Sequence, residues 1–213
     1  MWNELFQFGL TAFVTLFVVI DPIGVIPMFH SLTAGMEAES RTSTQTRAVM
    51  VAFGVVLFFL FVGRLMLSYL GVTIYAFSIS GGVLLFATAL PMLLGNRPGL
   101  QGPEEDEKPQ SGDDIAIFPL AIPLLSGPGS IATVLLLSDH AHGSPVRLGI
   151  LLLVVTLTFA LAWLILYFGN RLLAKIGESK MHIVTRVLGI ILAALAVQFV
   201  LNGISDYIQT LKR

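Results

Sequence analysis

Two clusters of proline and glycine hold the residues best placed to do chemistry. Asp21-Pro22-Ile23-Gly24 interrupts one long apolar run, and Ser126-Gly127-Pro128-Gly129-Ser130 interrupts another. Proline lacks an amide hydrogen and clashes with the preceding turn, so a helix breaks or kinks there. Glycine adds backbone conformations that other residues avoid. Polar backbone exposed at membrane depth survives only where it is buried in protein or lines a wet cavity. Freed amides at a half-helix N-terminus favour a carboxylate, and freed carbonyls favour a cation or ammonium. Two such breaks of opposite orientation would suit a small zwitterion.

Asp21 is the sharpest single residue. A charge inside the bilayer costs about 2.5–3.5 kcal/mol on insertion scales, so it is usually functional or paired. It reads either as a ligand for a substrate ammonium, a coupling H⁺ or Na⁺, or as the N-cap of the half-helix that Pro22 opens. Pro22 and Gly24 complete the first candidate site; Ser126, Gly127, Gly129 and Ser130 form the second. Thr15 and Thr133 flank the two breaks, although hydroxyls in such helices more often bond their own backbone. Gln198 and Asn202, four residues apart on the last span, read as pore lining or interhelical glue. Arg64 reads as a snorkelling side chain near a span end. His140-Ala141-His142 lacks the further ligands a metal needs, so no metal site is expected. No cysteine, His-Glu-x-x-His motif or acidic partner for Asp21 is evident, so no catalytic residue is assigned and the chain is not expected to be an enzyme.

These breaks sit in an unusually apolar chain. Of its 213 residues, 55% are hydrophobic and only 12% charged, where soluble domains carry about 25% charged residues. Lipid is the natural solvent for such a sequence, and a net charge of -1 gives no general field for nucleic acid. Apolar stretches long enough to span fall near 5–32, 47–69, 73–95, 115–138, 148–169 and 184–208. Trp2, Tyr69, Tyr75, Tyr167 and Tyr207 fall near span ends, where amphipathic rings favour the headgroup layer. Met1-Trp2-Asn3-Glu4 lacks the basic start of a signal peptide, so the first span is expected to stay in the mature protein. Loops 1, 3 and 5 with their flanks carry eight Lys or Arg, against four on the other side. The positive-inside rule then puts those loops in the cytoplasm and both termini outside. Lys212-Arg213 argues the other way.

The two halves also resemble each other. Laying Pro22 on Pro128 lays Gly71 on Gly177 at the same offset, and one further insertion brings Gly82 onto Gly189. Three spans per half force the halves into opposite orientations, an architecture that recurs in secondary transporters. The expected fold is therefore an all-α polytopic membrane protein of six transmembrane helices. It forms two three-helix inverted-topology repeats, with the first helix of each repeat broken. A single integral domain would cover 1–213: a first repeat at 1–95, a polar acidic linker at 96–114 and a second repeat at 115–213. The linker, rich in Pro, Gly and acid, reads as solvated chain. Ser78 with Gly82, and Gly189 with Ala193, read as small faces for close helix packing.

Residues 21–29 and 117–131, each carrying one of the breaks, resemble the two signatures of the MarC family. These are small six-span bacterial and archaeal membrane proteins, also grouped as small neutral amino acid transporters. The resemblance covers essentially the whole chain. It implies transport of glycine, alanine and similar solutes for some members. The commonest family form has Asn where this chain has Val25, which removes one polar candidate beside Asp21. The expectation is a secondary transporter of a small polar solute, with the lipid bilayer and that solute as partners and a homo-oligomer compatible with the sequence. No P-loop motif supplies ATP drive, so H⁺ or Na⁺ coupling is the alternative to simple facilitation, and no cofactor is expected. A scaffold or regulatory membrane protein and an intramembrane enzyme are the rivals.

Overall fold

In a computed structural model the described residues are 2–94 and 112–212. Every regular element among them is helical. The helices are α1 (Trp2–Ile20), α2 (Pro22–Leu32), α3 (Ala38–Tyr69), α4 (Ile74–Leu94) and α5 (Gly112–Ile115). A wide-turned segment, Ala116–Leu125, follows, then α6 (Pro128–Ala141), α7 (Pro145–Ile176) and α8 (Glu178–Leu211). Among the described residues five stretches are long and apolar enough to cross a bilayer, α1 and α2 together making the first. The pair Gly112–Leu125 and Pro128–Ala141, bent by 54°, makes a sixth. The chain is thus an all-α polytopic membrane protein.

Several boundaries differ from the sequence reading. The acidic linker expected at 96–114 lies mostly outside the described residues, but its last three residues open α5. The second span starts well before residue 47: α3 has 32 residues, about 48 Å at 1.5 Å per residue, so it outruns a hydrocarbon core of about 30 Å. Its first turns carry the polar run Arg41-Thr42-Ser43-Thr44-Gln45-Thr46-Arg47. Loop 5 contracts to Gly177 alone, whose φ of 80° lets α7 turn directly into α8.

The broken spans reach across the molecule. α1 and α2 pack chiefly on α7, whereas the Ala116–Leu125 segment and α6 pack on α3. Each interrupted span therefore leans on the second span of the other half. Glycines permit the close approach: a side chain at Gly63 of α3 would strike Leu135 of α6, and one at Gly169 of α7 would press on Ile26 of α2. α4 and α8 form the tightest pair and run antiparallel, with Tyr75 against Tyr207 at one end. Gly82 packs on Ala196 and Val200, Gly189 on Met92, and Ser78 Oγ donates to the Phe199 carbonyl at 2.8 Å. The small faces do the packing that the sequence suggested.

Two apolar clusters result. The larger joins α1, α2, α3, the wide-turned segment and α7 through Leu16, Ile20, Ile26, Phe29, Leu120 and Leu166. The smaller gathers Val19, Leu85, Ala89, Leu192 and Ala196 against the α4–α8 pair. Consecutive residues Val19 and Ile20 belong to different clusters, so the seam passes beside Asp21.

Candidate functional site

Asp21 alone separates α1 from α2. Its backbone is left-handed (φ 45°, ψ 59°), and it is the only non-glycine residue with positive φ among those described. Asp visits this region more readily than most residues because its short side chain bonds locally. Here Oδ1 accepts from the Gly24 amide at 3.1 Å, so Asp21 is the N-cap of α2, with Pro22 at the first helical position. A side chain at Gly24 would collide with the Asp21 carboxylate. Pro22 also deprives the Val18 carbonyl of its usual donor four residues on. The first break thus presents a buried carboxylate, 9% exposed, and helix-end backbone.

The second break is wider. The span expected to break once at Gly127-Pro128-Gly129 is also interrupted upstream. Phe118 (φ -130°, ψ 124°) and Ile122 (φ -125°, ψ 120°) are extended. Each precedes a proline, whose ring disfavours helical geometry in its predecessor. Serine hydroxyls bond carbonyls within these irregular turns, Ala121 O also accepting from the Ser126 amide at 2.9 Å. Ser126 Oγ donates to Ala121 O at 2.8 Å, and Ser130 Oγ donates to Leu125 O at 3.2 Å. Both serines are buried, at 1% and 2% exposure, with their oxygen lone pairs still able to accept. Thr133, also buried, bonds back to the Gly129 carbonyl.

The two breaks meet. A side chain at Gly129 would strike Leu85 and crowd Val19, two residues before Asp21. A side chain at Gly127 would strike the Pro123 carbonyl. The end of α1 just before Asp21 and the start of α6 at Gly129 therefore lie side by side, at the seam between the two apolar clusters. Thr15 lies at the edge of the buried face of α1 formed by Ala12, Leu16, Val19 and Ile20, and is half-buried.

Gln198 and Asn202 belong elsewhere. Both are exposed on α8 and bond each other, Nε2 to Oδ1 at 2.7 Å. The buried face of α8 is set by Gly189, Leu192, Ala196, Phe199 and Gly203, which turns these amides away from the breaks. Arg64, read as a snorkelling side chain near a span end, also pairs across helices, its Nη1 lying 3.1 Å from Asp139 Oδ1 on α6. At the other end of α3, Arg47 pairs with Asp113 of α5. Between α3 and α7, Gln45 donates to the Trp163 carbonyl at 2.7 Å and Trp163 Nε1 donates to Thr46 at 3.0 Å. Among the described residues, no three His, Asp or Glu converge as metal ligands would.

The fold and this site define a class: a polytopic helical membrane protein whose first and fourth spans are interrupted where they meet. The sequence matches the description "MarC family integral membrane protein" over residues 6–208, and the chain belongs to that family. It is 33% identical over 206 residues to the UPF0056 membrane protein YvbG of Bacillus subtilis, covering 94% of this chain and 95% of that one. With the UPF0056 inner membrane protein YhgN of Escherichia coli it shares 34% over 199 residues, covering 92% and 95%. A UPF0056 membrane protein of Aquifex aeolicus is 32% identical over 98% of both chains. No solved structure matches the chain.

Proposed function

We propose that this protein is a secondary transporter of a small polar solute, a neutral amino acid such as glycine or alanine being the first candidate. The solute sits between the two broken spans near the bilayer midplane. One observation carries this reading: Gly129 abuts Val19, so a buried carboxylate and two half-helix N-termini share one seam. A carboxylate complements an ammonium, helix N-termini complement a carboxylate, and a neutral amino acid carries both. Asp21 either holds the solute's ammonium directly or takes the coupling H⁺ or Na⁺. No catalytic step is part of this reading.

The inverted repeat belongs to the same proposal, and its support is the packing. The offset that lays Pro22 on Pro128 also lays Gly63 on Gly169, and each of these glycines admits the broken span of the other half. The same offset lays Gly71 on Gly177, both with positive φ. Two such halves, rocking about a fixed central site, are the usual basis of alternating access.

The test is uptake of labelled glycine and alanine into liposomes holding purified protein, under imposed H⁺ or Na⁺ gradients. Saturable uptake that Asp21→Asn abolishes is expected. No uptake above empty liposomes under either gradient, from protein shown to be folded, would rule out the amino acid assignment and favour a scaffold.

A further inference from the structure

Away from the breaks, a cleft of about 640 Å³ opens between the C-terminal part of α3 and the turn joining α6 to α7. Its polar lining is Arg64, Ser68, Ser138, His142 and Ser144, with no carboxylate among the lining residues. The Asp139 contact engages one guanidinium nitrogen, and the Arg64 side chain remains 45% exposed. Arginine carries five N–H donors in a planar fork, so donors remain for a second acceptor. The hydroxyls of Ser68 and Ser144 line the same cleft, while Ser138 donates its hydrogen to the Leu60 carbonyl at 3.1 Å. The cleft is therefore rich in donors, carries a cation and suits an anion with several acceptor oxygens.

Depth and edge indicate where such an anion comes from. Arg64 lies five residues before the end of α3 at Tyr69, about 8 Å along the axis. Tyr69 is almost fully exposed, as a ring in the headgroup layer would be. On the same helix Phe61 and Leu65, also in the lining, are exposed apolar side chains beside Arg64. In a bilayer they would meet acyl chains. A polar floor joined to an apolar lip matches one molecule that bears a phosphate and a hydrocarbon tail.

We propose that this cleft binds the phosphate headgroup of an anionic phospholipid, with Arg64 as its principal ligand. The pair with Asp139 holds the guanidinium ready rather than consuming it. The first turn of α7 also borders the cleft, and the positive end of a long helix adds to the preference for an anion. Occupancy would tie α3 of the first half to the α6–α7 turn of the second.

The experiment is thermal unfolding of the full-length protein, purified in neutral detergent and stripped of lipid, with phosphatidylglycerol, phosphatidylcholine or inorganic phosphate added. At tenfold excess over half-saturation, phosphatidylglycerol should raise Tm by about 3–6 °C. Phosphatidylcholine with the same chains should not. Arg64→Gln should lose the shift. Ser144 accepts from the Arg147 amide at the start of α7, and aspartate caps as well as serine. Ser144→Asp therefore keeps the cap while placing a repelling charge in the cleft, and should also lose the shift. Equal shifts with both lipids, or a shift that survives in Ser144→Asp, would overturn the proposal. An equal shift with inorganic phosphate alone would leave an anion site but overturn its assignment to lipid.

Discussion

Asp21 performs two tasks that a single substitution can separate. As a cap it satisfies the Gly24 amide, a role in which asparagine is its equal, and asparagine also tolerates the left-handed region. Alanine does neither, and loss of a cap typically costs about 0.5–2 kcal/mol. Asp21→Asn should therefore unfold near the wild-type temperature yet lose uptake, while Asp21→Ala should lose uptake and unfold measurably earlier. Unfolding of detergent-solubilised protein together with liposome flux distinguishes the two. Gly24→Ala is expected to act through its neighbour, since the added carbon displaces the carboxylate. Uptake should fall at least as far as in Asp21→Asn. Both residues were readable in the sequence, as was the capping alternative. The left-handed conformation was not, because it depends on how α1 and α2 are held by other helices.

At the scale of elements, prolines announced where the spans break, but not how widely. Pro119 and Pro123 were visible in the sequence, yet only the structure shows Phe118 and Ile122 extended before them. The pairing of Arg64 with Asp139 was invisible, because nothing local says that α6 lies on α3. Gln198 and Asn202, read as pore lining or interhelical glue, lie exposed and bonded to each other, because small residues decide which face of α8 is buried. Glycines at the crossings carry the tightest geometry. Gly63→Val should force Leu135 off α3 and cost about 1–3 kcal/mol, as overpacking generally does. Chemical denaturation should show it. The same change at Gly54, which has open space around its position, should be close to neutral apart from helix propensity.

For the whole molecule, orientation is the property that the positive-inside count addresses most directly. The chain has no cysteine, so introduced thiols report without background. With both termini outside, Lys212→Cys should react with a membrane-impermeant maleimide in intact cells. Glu37→Cys, between α2 and α3, should react only after lysis. The reverse pattern would invert the topology while leaving the fold unchanged.

The crossed packing of the broken spans has a consequence for how the chain is made. α1 and α2 emerge from the ribosome first, but their chief support, α7, is synthesised last but one. Until then the buried face around Leu16, Ile20 and Phe29 lacks its partner. Membrane insertion and assembly are thus separate events, and quality-control proteases have a window between them. Expressed alone, either half should be degraded. Co-expressed as two chains divided within 96–111, the halves should protect each other and co-purify, which a pulse-chase experiment would record.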